Sequence, residues 1–324
     1  MSVGAIGRES NTGNKRRRNE DSFVVAPPLF AVADGMGGAQ AGEVASKLAA
    51  AALADTDLGS AGGEERVVAL IQEANRRVYE RSHADPSASG MGTTITVALV
   101  EGTRVTFGHV GDSRAYLLRD GVLEQLTEDH SLVNELMKSG KLSPEEAETH
   151  PQRSVITRAL GTDPDVDVDT FVVEAKEGDL FLICSDGLTT MVGDEDILDL
   201  LERSHNDLDR AAKSLVAAAN RAGGEDNITV VAFTITADDG NTAQLPAAGE
   251  DDDTLHGVQP PPSVDTMVVP ADQVEAAFLA PGSPEALAAL QREPIAPAAR
   301  LRLVLAMIAL LSLAAALLVW GLLR

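Results

Sequence analysis

Apolar and polar positions alternate in two different rhythms along residues 1–236. Thr93–Val100 and Val105–Val110 are runs of β-branched and aliphatic residues on either side of Glu101-Gly102-Thr103-Arg104. That spacing predicts two strands joined as a hairpin. Ala115–Leu118 and Val122–Leu126, joined through Asp120-Gly121, predict a second hairpin. Asp179–Cys184 and Ile228–Ile235 are also strand-like. Helical periodicity appears instead in Ala41–Ala54, Glu64–Arg81 and Asp207–Ala222, the last ending at Gly223-Gly224. Ser143-Pro144-Glu145-Glu146 has the spacing of a capping box, with proline at the first helical position. Strand pairs close in sequence imply antiparallel sheets, and helices of this length must cover sheet faces. The expected fold class is α+β.

The rhythm stops after residue 236. Residues 237–300 hold nine of the chain's fifteen prolines and eleven acidic residues against Arg292 and Arg300. This composition predicts an acidic, proline-rich linker without a core, with room for one short helix near Ser283–Gln291. Residues 303–323 then run without a charge. At ~1.5 Å per residue such a helix spans roughly 31 Å, the thickness of a bilayer core. Trp320 near its end suits an interface. Arg292, Arg300 and Arg302 on the other side predict residues 1–300 in the cytoplasm, with the chain in the plasma or inner membrane.

The chain has 324 residues and a formal net charge of -24, which argues against nucleic acid as a partner. One cysteine, Cys184, excludes an intrachain disulfide and fits a reducing compartment. Residues 1–11 contain no apolar run of the signal-peptide kind.

The position of the acidic residues is more informative than their number. The apolar run Phe30–Ala33 leads into Asp34-Gly35, Phe107–Gly111 into Asp112, and Leu180–Ser185 into Asp186-Gly187. Asp226-Asn227 comes just before Ile228–Ile235, and Glu20-Asp21 just before Ser22–Val25. Any one Asp-Gly reads as an ordinary turn. Several carboxylates at the edge of one buried sheet would repel one another, and a divalent cation removes that cost. Oxygen-rich sites of this kind suit Mg²⁺ or Mn²⁺, whereas one cysteine and no HExxH make zinc improbable. Two such ions about 3.5–4 Å apart can ready water for in-line attack at phosphorus. Lys15-Arg16-Arg17-Arg18 supplies cations for the phosphate oxygens.

Six motifs occur in order: Arg16–Phe23, Val32–Gly38, Met91–Thr94, Gly111–Arg114, Cys184–Leu188 and Glu225–Val231. Together they resemble the successive motifs of the bacterial metal-dependent protein phosphatases of type 2C. His150–Ser154 with Ile156–Leu160 resembles the stretch after that family's flap. The resemblance covers residues 4–236.

It implies a four-layer α-β-β-α sandwich of two antiparallel sheets flanked by helices, residues 1–236 forming the catalytic domain. It further implies hydrolysis of phosphoserine and phosphothreonine with two core Mn²⁺ or Mg²⁺ ions and a weaker third. Asp34 would bridge the ions, with the Gly35 carbonyl on one and Asp186 and Asp226 on the other. Glu20 and Asp21 would act mainly through water, and Asp112 would join Asp186 at the third ion. Arg16 would hold the substrate phosphate, and residues 139–162 would form the flap. The expected partners are phosphoproteins, membrane-associated serine/threonine kinases among them. The sequence departs from the family pattern twice. Met36 stands where many relatives outside bacteria carry histidine, and Asn11 stands where many bacterial ones carry aspartate. An adaptor that binds phosphoproteins without cleaving them is the alternative, and a carboxylate-metal nuclease is a third reading that the acidic surface opposes.

Overall fold

The computed structural model describes residues 1–37, 41–55, 62–148, 150–204 and 207–237, together with the backbone at 267–268. The apolar run 303–323 and the rest of the expected linker lie outside the described residues. Among the described residues, no helix is long and apolar enough to cross a membrane.

Two antiparallel sheets form the centre. One joins β1 (Ser2–Asn11), β12 (Ile228–Thr236), β11 (Leu180–Cys184), β7 (Arg114–Arg119) and β8 (Val122–Gln125), in that order across the sheet. The other joins β10 (Asp169–Glu174), β6 (Arg104–Val110), β5 (Ile95–Glu101), β3 (Leu29–Met36) and β2 (Asp21–Ala26), with β4 (Gly92–Thr93) paired to the end of β3.

Phe30, Phe107, Phe181 and Phe233 fill the space between the sheets, the rings of Phe30 and Phe233 stacking at 4.1 Å. The outer face of the second sheet packs under α1 (Ala41–Asp55) and α2 (Gly63–Ala84). The outer face of the first packs under α6 (Asp194–Ser204) and α7 (Leu208–Ala222). The order is therefore helix, sheet, sheet, helix. Strands buried on both faces lose the apolar–polar alternation of a half-exposed strand. In β5, Ile95, Val97 and Leu99 face the helices while Ala98 and Val100 face the other sheet.

Local signals read from sequence are realised closely. Asp120 and Gly121 both adopt positive φ in the β7–β8 turn, as a tight two-residue hairpin requires. The Ser143 amide donates to Glu146 Oε2 and the Glu146 amide to Ser143 Oγ, capping α4 (Pro144–Glu148). Asp207 caps α7 by accepting from the Arg210 amide.

Other elements are not signalled by the sequence pattern. β1, β10 and α6 carry mixed or half-exposed patterns that periodicity alone does not separate from loops. The short α3 (Leu132–Lys138) and the two-residue β9 (Val155–Ile156) follow. Within the expected linker, Met267–Val268 form a strand, β13, parallel to β9.

Candidate metal centre

Each acidic motif reaches the same end of the sandwich by a different route. Asp21 and Asp34 face each other as register partners on β2 and β3. β3 does not turn at Asp34-Gly35; it continues to Met36, with Gly35 paired to Thr93. Asp112 lies two residues beyond the end of β6, after Gly111. Asp186 opens the first turn of α5 (Asp186–Thr189), beyond the end of β11. Asp226 precedes β12.

The convergence shows in their electrostatics. The Asp34 carboxyl is raised well above the usual range, by burial first and then by the charges of Asp21, Asp186, Asp226 and Asp112. Asp21 is pushed up to about 7 and Asp186 to about 6, again by burial first. Asp112 is raised by burial, Asp186 and Asp129, against the pull of Arg114. Five aspartates that are distant in sequence therefore share one field.

Two oxygens in this set are buried without a hydrogen-bond partner, Asp21 Oδ1 and Asp186 Oδ1. Such orphaned acceptors carry a penalty unless something positive faces them. The donors here are hard carboxylate oxygens. That set fits Mg²⁺ or Mn²⁺ and not a soft ion. Among the described residues, no group of three or more His, Cys, Asp or Glu side chains closes on a point as a finished metal site would. Hard cations of this kind keep several waters, so their carboxylates need not touch.

The support around these groups is dense. Ser185 Oγ donates to Asp21 Oδ2 at 2.9 Å and accepts from the Thr229 amide at 2.9 Å. The Asp34 amide donates to Thr94 Oγ1, and Thr93 Oγ1 donates back to the Asp34 carbonyl. Thr94 Oγ1 in turn bonds Ser113 Oγ at 2.8 Å. Asn227 ties three segments together. Its Oδ1 accepts from the Glu20 amide, and its Nδ2 donates to the carbonyls of Thr12 and Arg18.

Gly35 permits the close approach of α1. A Cβ there would lie 2.2 Å from the Gly42 carbonyl oxygen and 2.5 Å from that of Glu20. Glu20 is held by its backbone: its carbonyl accepts from the Gly35 amide and from Ser46 Oγ.

Of the basic cluster, Arg16 is the residue that reaches the site. Its guanidinium pairs with Asp226 Oδ2 at 2.8 Å and feels Asp34 and Glu20. Arg17 and Arg18 are exposed, and Arg18 lies 3.6 Å from Glu43. Asn11 keeps a turn: its Oδ1 accepts from the Gly13 amide and from Asn220 Nδ2.

No histidine among the described residues joins the carboxylates. His109 is buried, bonded to Thr96 and to the Glu128 carbonyl, and desolvation lowers it to about 3. Met36 packs on Ile156 and Ala159. Residues 155–161, within the stretch expected to form the flap, are anchored to the rest of the domain. Leu160 is fully buried and exchanges backbone hydrogen bonds with Thr93, and the Gly161 amide bonds Asn75. The sequence pattern does not single out the supporting roles of Ser185, Thr93, Thr94 and Asn227, although all four lie inside the motifs. Small polar residues next to buried aspartates are the available signal.

Residues 14–220 match the family model for protein phosphatase 2C. The chain belongs to the protein phosphatase 2C family. It is 44% identical over 249 residues to the serine/threonine protein phosphatase PstP of Mycobacterium tuberculosis, covering 75% of this chain and 48% of that protein. It thus spans about half the length of that curated relative. It is 43% identical over 233 residues to the serine/threonine phosphatase stp of Listeria monocytogenes, covering 68% of this chain and 92% of that one. The crystal structure of M. tuberculosis PstP/Ppp matches with a TM-score of 0.69 at 42% identity, over 73% of this chain and 100% of that chain. A second structure, the PstP catalytic domain in complex with two manganese ions, matches with a TM-score of 0.67 at 40% identity, over 73% and 100%. The protein phosphatase 2C sandwich is thus the two-sheet, helix-flanked architecture described above.

Proposed function

We propose that this chain hydrolyses phosphoserine and phosphothreonine in proteins, in a Mn²⁺- or Mg²⁺-dependent reaction. The observation that carries the reading is the gathering of Asp21, Asp34, Asp112, Asp186 and Asp226 at one end of the sandwich, with two orphaned carboxylate oxygens and Arg16 alongside. Relatives named as serine/threonine phosphatases, and one solved with two manganese ions, support it.

Asp34, Asp186, Asp226 and the Gly35 carbonyl would hold the core ions, with Glu20 and Asp21 behind them and Asp112 beside Asp186. The ions, when bound, supply positive charge at the phosphoryl oxygens and an activated water. The residues of the chain contribute the frame. Arg16 presents two donors to a phosphate in the geometry that suits a forked guanidinium. Asp226 holds Arg16 in place until the phosphate arrives. Thr93 and Thr94 fix the backbone at Asp34. Met36 offers no proton to the leaving oxygen, so the seryl or threonyl oxygen takes its proton from water.

The test is hydrolysis of a phosphothreonine peptide by the full chain, treated with EDTA and then resupplied with Mn²⁺ or Mg²⁺. Activity that disappears and returns supports the proposal. Persistent activity in EDTA, or equal activity in an Asp34→Ala variant, rejects it. Binding without turnover would favour the adaptor reading.

The charge-free run 303–323 supports a membrane-anchored enzyme, single-pass, with residues 1–300 in the cytoplasm, acting on membrane-bound phosphoproteins and on the serine/threonine kinases that make them. Tethering raises the effective concentration of such substrates. Alkaline-carbonate extraction of membranes tests the anchor. The full chain should stay in the pellet and a chain ending at residue 300 should not.

A further inference from the structure

Met267–Val268 pair in parallel with β9, Met267 opposite Val155 and Val268 opposite Ile156. On its other side, Ile156 bridges antiparallel to Ser131, so this pairing takes the edge of β9 that the domain leaves open. The surrounding sequence explains the choice of segment. Val264-Asp265-Thr266-Met267-Val268-Val269 is β-prone, and it lies between Pro260-Pro261-Pro262 and Pro270. Prolines donate no amide hydrogen and set the limits of a strand. The chain can make the connection in cis. Thirty residues, 237–266, separate β12 from Met267, and a coil of thirty residues would span about 30 Å.

β9 is not a remote edge. Ile156 is fully buried against Met36, two residues beyond Asp34. The Thr157 amide bonds the His130 carbonyl, and Leu160 bonds Thr93, whose hydroxyl holds the Asp34 carbonyl. An extended peptide on the open edge of β9 therefore lies on the segment that joins the flap to the metal centre. Strand addition reads backbone and tolerates many sequences, which suits a surface that must accept varied protein chains.

We propose that the open edge of β9 is a docking edge for the extended chain of a phosphoprotein substrate, and that Met267–Val268 of the same chain occupy it in cis and compete with that substrate. The kinetic part rests on the phosphatase reading above; the docking itself does not.

The experiment uses the full chain in detergent, as wild type and with Met267→Pro and Val268→Pro together, which remove both amides of β13. In the wild type, amides around 265–269 should exchange more slowly than the flanking linker. In the variant, that protection and part of the protection of β9 should be lost. For a phosphothreonine peptide, kcat/KM should rise about two- to tenfold in the variant, the range one net hydrogen bond carries. For para-nitrophenyl phosphate, which has no chain to dock, it should not change.

Equal exchange of 265–269 and its flanks in the wild type overturns the docking. Protection that grows with protein concentration overturns the cis arrangement in favour of a second copy. An equal rise for both substrates, or none for the peptide, overturns the competition. A chain that turns over neither substrate removes the phosphatase reading, and the docking is then decided by the exchange alone.

Discussion

Ser185 donates its hydroxyl to Asp21 across 2.9 Å, joining residues 164 positions apart at the point where the two sheets meet the carboxylate cluster. The same oxygen accepts from the Thr229 amide, so it satisfies one buried donor and one buried acceptor at once. Ser185→Ala removes both bonds. The expected cost is ~1–3 kcal/mol of stability, because the buried Thr229 amide loses its acceptor and Asp21 loses one of its two side-chain partners. Asp21 also loses a bond that favours its charged form, so Mn²⁺ should bind more weakly. Thermal melts with and without Mn²⁺ read both effects, and a variant with unchanged melting and unchanged Mn²⁺ response would show that the bond does neither.

The raised carboxyls set the sign of the pH dependence. Asp21 and Asp186 move up to about 7 and about 6, and Asp34 and Asp112 also rise, burial being the first cause in each. While folded and unfolded states are both protonated, below about pH 4, these groups cost nothing. As pH climbs, the unfolded chain releases its protons first and the folded chain retains them. Stability of the metal-free protein therefore falls from about pH 4 to about pH 7. Each carboxyl that stays protonated in the folded chain alone contributes a loss of about 1.4 kcal/mol per pH unit climbed. After EDTA treatment, the melting temperature should be lower at pH 8 than at pH 5. Mn²⁺ should raise it more at pH 8, where the carboxylates are charged. A flat profile without metal would contradict the shared field.

The carboxylate set was legible because each aspartate ends or borders an apolar run, and such runs are readable one at a time. Asp186 sits one residue past Ser185 at the end of β11, and Asp226 two before β12. What holds them was less legible. The Asn227 amide bonds Thr12 and Arg18, and Ser185 bonds Asp21, contacts whose partners are set by the register of distant strands. Asp34-Gly35 shows the same limit at short range. The pair reads as a turn, yet β4 provides a partner for Gly35 and the strand runs on. The edge strands β1 and β10 were missed because their half-exposed faces carry no clean period.

Arg16 is set apart from its neighbours by position, not by type. It pairs with Asp226 at 2.8 Å, whereas Arg17 and Arg18 are exposed. Arg16→Ala should raise KM for both a phosphopeptide and para-nitrophenyl phosphate, with a loss of about 1.5–3 kcal/mol in kcat/KM, the scale of a charged hydrogen bond. Arg16→Lys should recover part of it, since a point charge remains without the fork. Arg17→Ala should leave both parameters within about twofold, as expected of an exposed side chain. Steady-state kinetics on the four proteins decides it, and a larger loss from Arg17→Ala would move the phosphate contact by one residue.

Gly35 has little freedom to accept a side chain. A Cβ would stand 2.2 Å from the Gly42 oxygen, and both that atom and the Glu20 oxygen at 2.5 Å are backbone. Neither can swing aside as a side-chain tip can. Gly35→Ala must push α1 away from β3, displacing the Glu20 carbonyl that Ser46 and the Gly35 amide both hold. The expected cost is about 1–3 kcal/mol of stability, the usual penalty for overpacking. Metal-dependent activity should fall further than stability does, because Asp34 is the preceding residue. Gly102→Ala is the control: nothing lies within 4 Å of a Cβ there, although its φ of +64° carries strain. Chemical denaturation and Mn²⁺-dependent turnover of both variants separate the two effects. If Gly35→Ala kept full activity at reduced stability, the close contact with α1 would serve packing alone.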